Sequence, residues 1–203
     1  CDTINQFKPG HTWDSKTKEY TKYFDRSTKM SSDTEELSKY TIKTKLETAV
    51  TKRTMSDRKI GCLLSGGLDS SLIAALLSNN YKEKLETFSI GLEGSPDLKF
   101  AKIVAEHINS NHHEVIVTEN EMLNAIDQVI YQTETYDTTT IRASTPMFLL
   151  SEYIKNNTDI AVIYSGEGSD EASGSYLYFH NAPNNTEFKK ETFRLLDDLC
   201  YFD

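Results

Sequence analysis

A chain of 203 residues holds one large domain, or one domain with a small appendage. With 37% hydrophobic and 26% charged residues it has an ordinary soluble composition, and no apolar run approaches the roughly 20 residues that cross a bilayer, so no membrane partner is expected. The net charge of −9 argues against wrapping nucleic acid, which needs lysine and arginine to replace counterions, and fits a solvated acidic surface.

Taken in chain order, residues 1–33 are polar and rich in threonine and lysine. The turn signal in FKPGH predicts a β-hairpin or a linker there. The opening has neither a basic-then-apolar leader pattern nor an initiator methionine, so the chain is expected to be an excerpt of something longer. A helix is predicted next, with Asp33 as cap, Glu36 three residues on, and a patchy stripe of Leu37, Tyr40, Thr41, Leu46, Ala49 and Val50. From Ile60 strands and helices alternate. Strands are predicted over 60–64, 85–92, 112–118 and 159–166, and helices over 69–81, 95–108, 119–134 and 145–157. Leu98, Ala101, Ala105 and Ile108 share one helix face, and Pro96 suits that helix's first turn. Such alternation predicts an α/β fold, a parallel sheet with helices on both faces. IGCLL and IAVIY read as its buried strands. The three cysteines, Cys1, Cys62 and Cys200, form no framework spacing, which points to a reducing, cytoplasmic compartment. The two Asn-x-Thr sequons are what chance gives in an asparagine-rich chain.

The stretch SGGLDSS, Ser65 to Ser71, follows a predicted strand and opens a predicted helix. Its glycines let backbone amides approach a ligand, the helix start adds partial positive charge, and Ser65, Ser70 and Ser71 add hydroxyls. Together these cradle phosphate. Asp69 is anionic, so its sensible role is to hold Mg²⁺ against the phosphates. Gly61 and Gly66 have Walker A spacing, but Gly67 and Leu68 stand where Lys and Ser/Thr would follow, so that reading fails. The bland alternative is a glycine-rich turn with Asp and Ser as helix caps. IAVIYSGEGSDE sets a second glycine-bearing turn after another strand. Ser165 and Gly166 can approach a nucleotide by backbone, and Glu167 and Asp170 offer carboxylates there. Two loops at one carboxyl edge could share one Mg²⁺ between Asp69 and Asp170.

SGGxDSS after a strand resembles the signature of the PP-loop ATP pyrophosphatases, whose fold is adenine nucleotide alpha-hydrolase-like. The segments FSIGLEGSPDLKFAKIVAEHI, HHEVI, YQTETYDTTTIRASTPMFLLS and SGEGSDEASGSYLYFHNAP narrow the resemblance to the glutamine-hydrolysing asparagine synthetase family. It implies that residues 1–33 follow a glutaminase domain as linker or hairpin and that 34–203 form the N-terminal part of the synthetase domain. It implies adenylation of aspartate by ATP with Mg²⁺, release of pyrophosphate, then amidation by ammonia from glutamine, and a possible homodimer. It implies that Ser65, Gly66, Gly67, Asp69, Ser70 and Ser71 contact ATP and pyrophosphate. By the same match Ser165 and Gly166 contact AMP, Glu167 serves β-aspartyl-AMP formation, and Leu63 and Ile90 line the adenine pocket. β-Lactam-synthetase-like ring closure and a non-catalytic ATP-binding homologue are the alternatives.

The run departs from the family pattern at Ser173, where an aromatic is usual, and at Ser175, where a glycine is usual. If Ser175 sits at positive φ, strain of about 1 kcal/mol or more is expected there. Cys1 is read as part of a linker with Asp2, Thr3 and Ile4, not as a glutaminase nucleophile. His112, His113 and Glu114 are read as a strand entry with surface histidines. YLYFH is read as packing. For Arg142, Glu134 and Asp137 a nucleotide contact and a structural role stay equally open.

Overall fold

The computed structural model describes residues 5–24 and 32–199. Cys1 to Ile4 and Cys200, on which some sequence expectations fall, lie outside them. In chain order the elements are β1 (His11–Asp14), β2 (Glu19–Lys22), α1 (Glu35–Arg53), β3 (Ile60–Leu63), α2 (Leu68–Asn80), β4 (Glu86–Leu92) and α3 (Pro96–His107). They continue with β5 (Asn111–Val117), α4 (Glu119–Thr133), α5 (Thr138–Asn157), β6 (Val162–Tyr164), α6 (Ser169–Ser173), a 3-10 turn (Leu177–Asn181) and α7 (Asn185–Asp198). Residues group into a larger unit, Thr34–Glu167, and a smaller one made of Cys1–Asp33 with Gly168–Asp203.

The larger unit is built on a sheet in the order β5-β4-β3-β6, every pair parallel. The chain steps from β3 to β4 to β5 in one direction, then returns across both to β6. Right-handed crossovers require the outward helices on one face and the returning ones on the other. Packing follows that rule. Ile60, Cys62 and Leu64 bury one face of β3 against Ala74 and Leu77 of α2 and Ala101 and Ala105 of α3. Phe88 of β4 packs the opposite face against Leu150 and Ile154 of α5. Helix α4 joins α5 through Ala125, Val129 and Ile141. The expected parallel sheet with helices on both faces is therefore borne out. Each fully buried side chain such as Phe88 or Leu77 contributes about 1.5–3 kcal/mol. Cys62 serves as core filling: it is wholly buried, and burial pushes its thiol up to about 12.

Three expectations are corrected. Helix α1 is capped by Thr34, not Asp33: Thr34 holds the extended cap conformation, and its hydroxyl accepts from the Leu37 amide at 3.3 Å. Helix α5 starts at Thr138, seven residues before the predicted boundary, because Asp137 caps it by accepting from the Thr140 amide at 2.9 Å. That leaves Pro146 inside the helix, where the missing amide costs one hydrogen bond, to the Arg142 carbonyl. The histidines of β5 are half-buried and partnered rather than free surface groups. His113 stacks on Phe88 with centroids 4.8 Å apart and meets Glu86 at 2.6 Å. On the other sheet face His112 is half-buried between buried Thr87 and Ser89, with Nδ1 2.9 Å from Thr87 Oγ1 and Nε2 3.1 Å from Ser89 Oγ.

Burial lowers the His112 pKa below the ordinary histidine value; Lys102 and His113 add to this and Glu114 opposes it. The unfolded chain therefore takes up a proton here at higher pH than the folded one. The stability from a neutral His112 is fully present above the unfolded value near 6.5 and is lost as pH falls through the lower folded value. Thermal unfolding at pH 7.5 and 5.5 is expected to show a smaller fall in Tm for His112→Gln than for the wild type. Equal falls would disprove the coupling.

In the smaller unit, β1 and β2 form an antiparallel hairpin with His11 opposite Lys22, and Trp13 lies 4.9 Å from Tyr20 across it. Asn184 caps α7, accepting from the amides of Thr186 and Glu187 at 2.9 and 3.0 Å. Phe179 and Leu195 are buried, and Phe179 meets Phe188 edge to face at 5.0 Å, so the packing role read for YLYFH holds for Phe179, while Leu177 and Tyr178 are exposed. Among the described residues no helix is long and apolar enough to cross a membrane.

Candidate functional site

Strand order reverses between β3 and β6, since the chain leaves β3 in one direction and comes back on its other side. In open parallel sheets the crevice at the carboxyl ends of two such strands takes ligands, because the flanking helices diverge there to opposite faces. Both stretches singled out in the sequence fall at this place. Leu64 to Gly67 leave the end of β3, and Ser165 to Glu167 leave the end of β6. The register pairs Cys62 with Tyr164.

The first loop is fixed by its own hydroxyls. Ser65 Oγ accepts from the Gly67 amide at 3.3 Å and lies 2.9 Å from Ser70 Oγ, while the Ser65 amide donates to Ser70 Oγ at 3.2 Å. Gly66 has φ +81, and a Cβ there would stand 2.5 Å from the backbone of Phe100 and Ala101 in α3. Gly67 is the cap residue of α2 and supplies no side-chain cap. A helix leaves its first amides without partners inside it, and Gly67 has no side chain to occupy those at the start of α2, where a Ser or Asp cap would. Asp69 is exposed in the first turn. Ser71 differs from the other hydroxyls: its Oγ is sealed from solvent and has no hydrogen-bond partner among the described residues.

The second loop repeats the first. Ser165 Oγ accepts from the Glu167 amide at 3.2 Å, the same two-residue reach that Ser65 makes to Gly67. The loops also touch. A Cβ on Gly166 would lie 2.9 Å from the Ser70 amide nitrogen and 3.0 Å from the Asp69 carbonyl carbon. Gly166 is thus required by a close approach, which the sequence does not disclose. Gly166→Ala is expected to push the loops apart at a stability loss of about 1–3 kcal/mol by urea unfolding. Wild-type stability in that variant would refute the argument.

Leu63 and Ile90 are half-buried beside Phe88 on the face covered by α5. Glu167 is exposed at the end of the larger unit. Asp170 belongs to the smaller unit, in the first turn of α6. At the C-terminal end of α6 the residue at positive φ is Gly174, at 65°. Ser175 is not among the non-glycine residues in that region, so the strain considered for it does not arise. Asp137 has the structural role, as the α5 cap. Glu134 ends α4 in the left-handed conformation, φ 53. Arg142 is exposed beside an apolar cavity of about 440 Å³ between α4 and α5. Sequence reading passed over the Thr118–Glu121 capping box of α4, whose Thr-x-x-Glu spacing was a readable signal.

No three His, Cys, Asp or Glu side chains converge as a metal cluster among the described residues. Magnesium does not demand one. It binds one or two carboxylates and completes its shell with water and substrate phosphate, so the exposed carboxylate of Asp69 in the first turn of α2 fits it.

The asparagine synthase family model matches residues 41–200. The glutamine-hydrolysing asparagine synthetase of Bos taurus is 54% identical over 162 residues, covering 77% of this chain and 29% of that protein. The Homo sapiens protein of the same description is 55% identical over 160 residues, covering 76% and 28%. The chain therefore spans less than a third of the length of these relatives. Among solved structures, an NH3-dependent NAD synthetase from Campylobacter jejuni aligns with TM-score 0.47 and 19% identity, covering 77% of this chain and 72% of that one.

Proposed function

Because the chain belongs to the asparagine synthase family, we propose that it forms part of an ATP-dependent amide-forming ligase that makes asparagine from aspartate. The observation that carries this reading is the contact of two glycine loops, Ser65–Ser71 and Ser165–Glu167, at the point of strand reversal, with Gly166 seated against Asp69 and Ser70. One loop offers amides and hydroxyls to phosphate, and the other brings a carboxylate to the reacting end.

In the proposed reaction the aspartate side-chain carboxylate attacks the α-phosphorus of ATP, and pyrophosphate leaves. The open amides at the start of α2, with Ser65 and Ser70, receive the charge that grows on the departing group, and they need not reorganise to do so. Mg²⁺ held by Asp69 and Asp170 would neutralise that group further. Ser165 and Gly166 hold the AMP portion by backbone, Leu63 and Ile90 flank adenine, and Glu167 serves formation of β-aspartyl-AMP. Ammonia then displaces AMP from the activated acyl group. The proposal extends to glutamine as ammonia source through a glutaminase domain of the same protein, to a homodimer, and to a cytoplasmic setting.

The test uses the full-length protein with ATP, Mg²⁺, aspartate and ammonium. AMP and pyrophosphate in equal amounts, formed only with aspartate, are expected. Formation of ADP, or AMP release indifferent to aspartate, would refute the reading. Replacing ammonium by glutamine tests the nitrogen source separately.

A further inference from the structure

The short helix α6 ends in a turn that folds the chain back on its own acids. The amides of Gly174 and Ser175 both donate to the Asp170 carbonyl, at 2.9 and 3.3 Å. This sets the hydroxyl of Ser175 on the side chain of Asp170, and Ser175 Oγ donates to Asp170 Oδ1. The next residue repeats the contact one step on, Tyr176 donating its hydroxyl to Glu171 Oε1. Ser173 Oγ lies 3.0 Å from Ser175 Oγ and donates to the Ser169 carbonyl at 2.7 Å. Ser173 thus reaches the Asp170 carboxylate only through Ser175.

Closing the helix needs only the backbone amides of Gly174 and Ser175, which already reach the Asp170 carbonyl. The hydroxyl is an addition, and its single proton goes to Oδ1. Oδ2 takes no hydrogen bond among the described residues. A carboxylate held through one oxygen presents the other in a fixed direction, and ordering a ligand before binding removes part of the entropy that binding would otherwise cost. We propose that Ser175 is a positioning residue for the proposed cation site: it holds the Asp170 carboxylate by Oδ1 so that Oδ2 is presented to the cation. This rests on Asp170 as a cation ligand in the proposed function.

The test reads cation binding, not turnover. Mn²⁺ is titrated into full-length protein saturated with α,β-methylene-ATP, and free Mn²⁺ is followed by electron paramagnetic resonance. Wild type, Ser175→Ala, Ser175→Thr and Asp170→Asn are compared. Ser175→Ala is expected to weaken Mn²⁺ binding about fivefold with Tm unchanged, Ser175→Thr to restore it, and Asp170→Asn to weaken it more than either. If Asp170→Asn weakens binding and Ser175→Ala does not, Ser175 has no positioning role while the cation reading of Asp170 stands. If Asp170→Asn leaves Mn²⁺ binding unchanged, that reading fails and the hydroxyl has no cation to serve. If alanine weakens binding only together with Tm, and threonine restores neither, the contact is structural and the proposal is overturned.

Discussion

Replacing Gly66 with alanine is expected to remove the ATP binding proposed above and to lower the folding free energy by about 2–5 kcal/mol. Two independent terms add. The residue sits at φ +81, where a Cβ costs roughly 1–2 kcal/mol. The added carbon would also stand 2.5 Å from the Ala101 amide nitrogen and the Phe100 carbonyl carbon. Both are backbone atoms of α3, so no side-chain rotation relieves the contact, and overpacking of this kind costs about 1–3 kcal/mol. The loop must leave α3, and with it goes the arrangement of Ser65, Gly67 and Ser70. Gly67→Ala is the internal control. Gly67 has φ −70, and the nearest atom to its added Cβ is Ser65 Oγ, at 3.4 Å. Its stability change is expected within about 0.5 kcal/mol, as for other open sites. Urea unfolding and titration with ATP of both variants decide the matter. Equal losses at Gly66 and Gly67 would show that α3 does not hold the loop.

This contrast marks what the sequence discloses and what it does not. The parallel sheet was legible because IGCLL carries an apolar run long enough to be buried on both faces, and because α3 keeps Leu98, Ala101 and Ala105 at helical spacing; IAVIY, read the same way, lies at the sheet edge with Ile163 exposed. The two loops were legible because glycine and serine cluster directly after strands. The partners of those glycines were not. Gly66 meets α3 and Gly166 meets α2, contacts between segments far apart in the chain, and no local pattern encodes them. Helix α5 was misjudged for a local reason. Pro146 stands second in the predicted helix 145–157, a place that favours proline, while the effective signal was the Asp137 cap acting on Thr140. The histidines of β5 were misjudged because strand parity was known for β5 alone. Their environment is set by Thr87 and Ser89 on one face and by Glu86 and Phe88 on the other. At Ser175 the sequence suggested strain, because the conformation belongs to the neighbouring Gly174 and only coordinates distinguish two adjacent positions.

Asp69→Ala is expected to show the opposite profile from Gly66→Ala: at least about a 100-fold loss of aspartate-dependent AMP and pyrophosphate formation, on the scale seen when one group facing developing charge is removed, with the fold intact. Asp69 is exposed in the first turn of α2. It owes its contribution to stability to the positive end of the helix, worth roughly 0.3–1 kcal/mol. No packed atom is lost when its side chain is cut back. The loop hydrogen bonds run through Ser65, Gly67 and Ser70 and do not include its carboxylate. Asp69→Asn separates charge from shape, since the amide keeps one oxygen donor at the same reach but gives up the negative charge. If the carboxylate holds Mg²⁺ against the departing pyrophosphate, asparagine should fall between wild type and alanine, and more Mg²⁺ should recover part of its rate. An asparagine variant as active as wild type would make the side chain a spacer rather than a ligand. A loss of activity that tracks a loss of Tm in both variants would make it part of the fold. Neither is expected, because along Ser65–Ser71 the residues that shape the loop and the residue that acts in it are different ones.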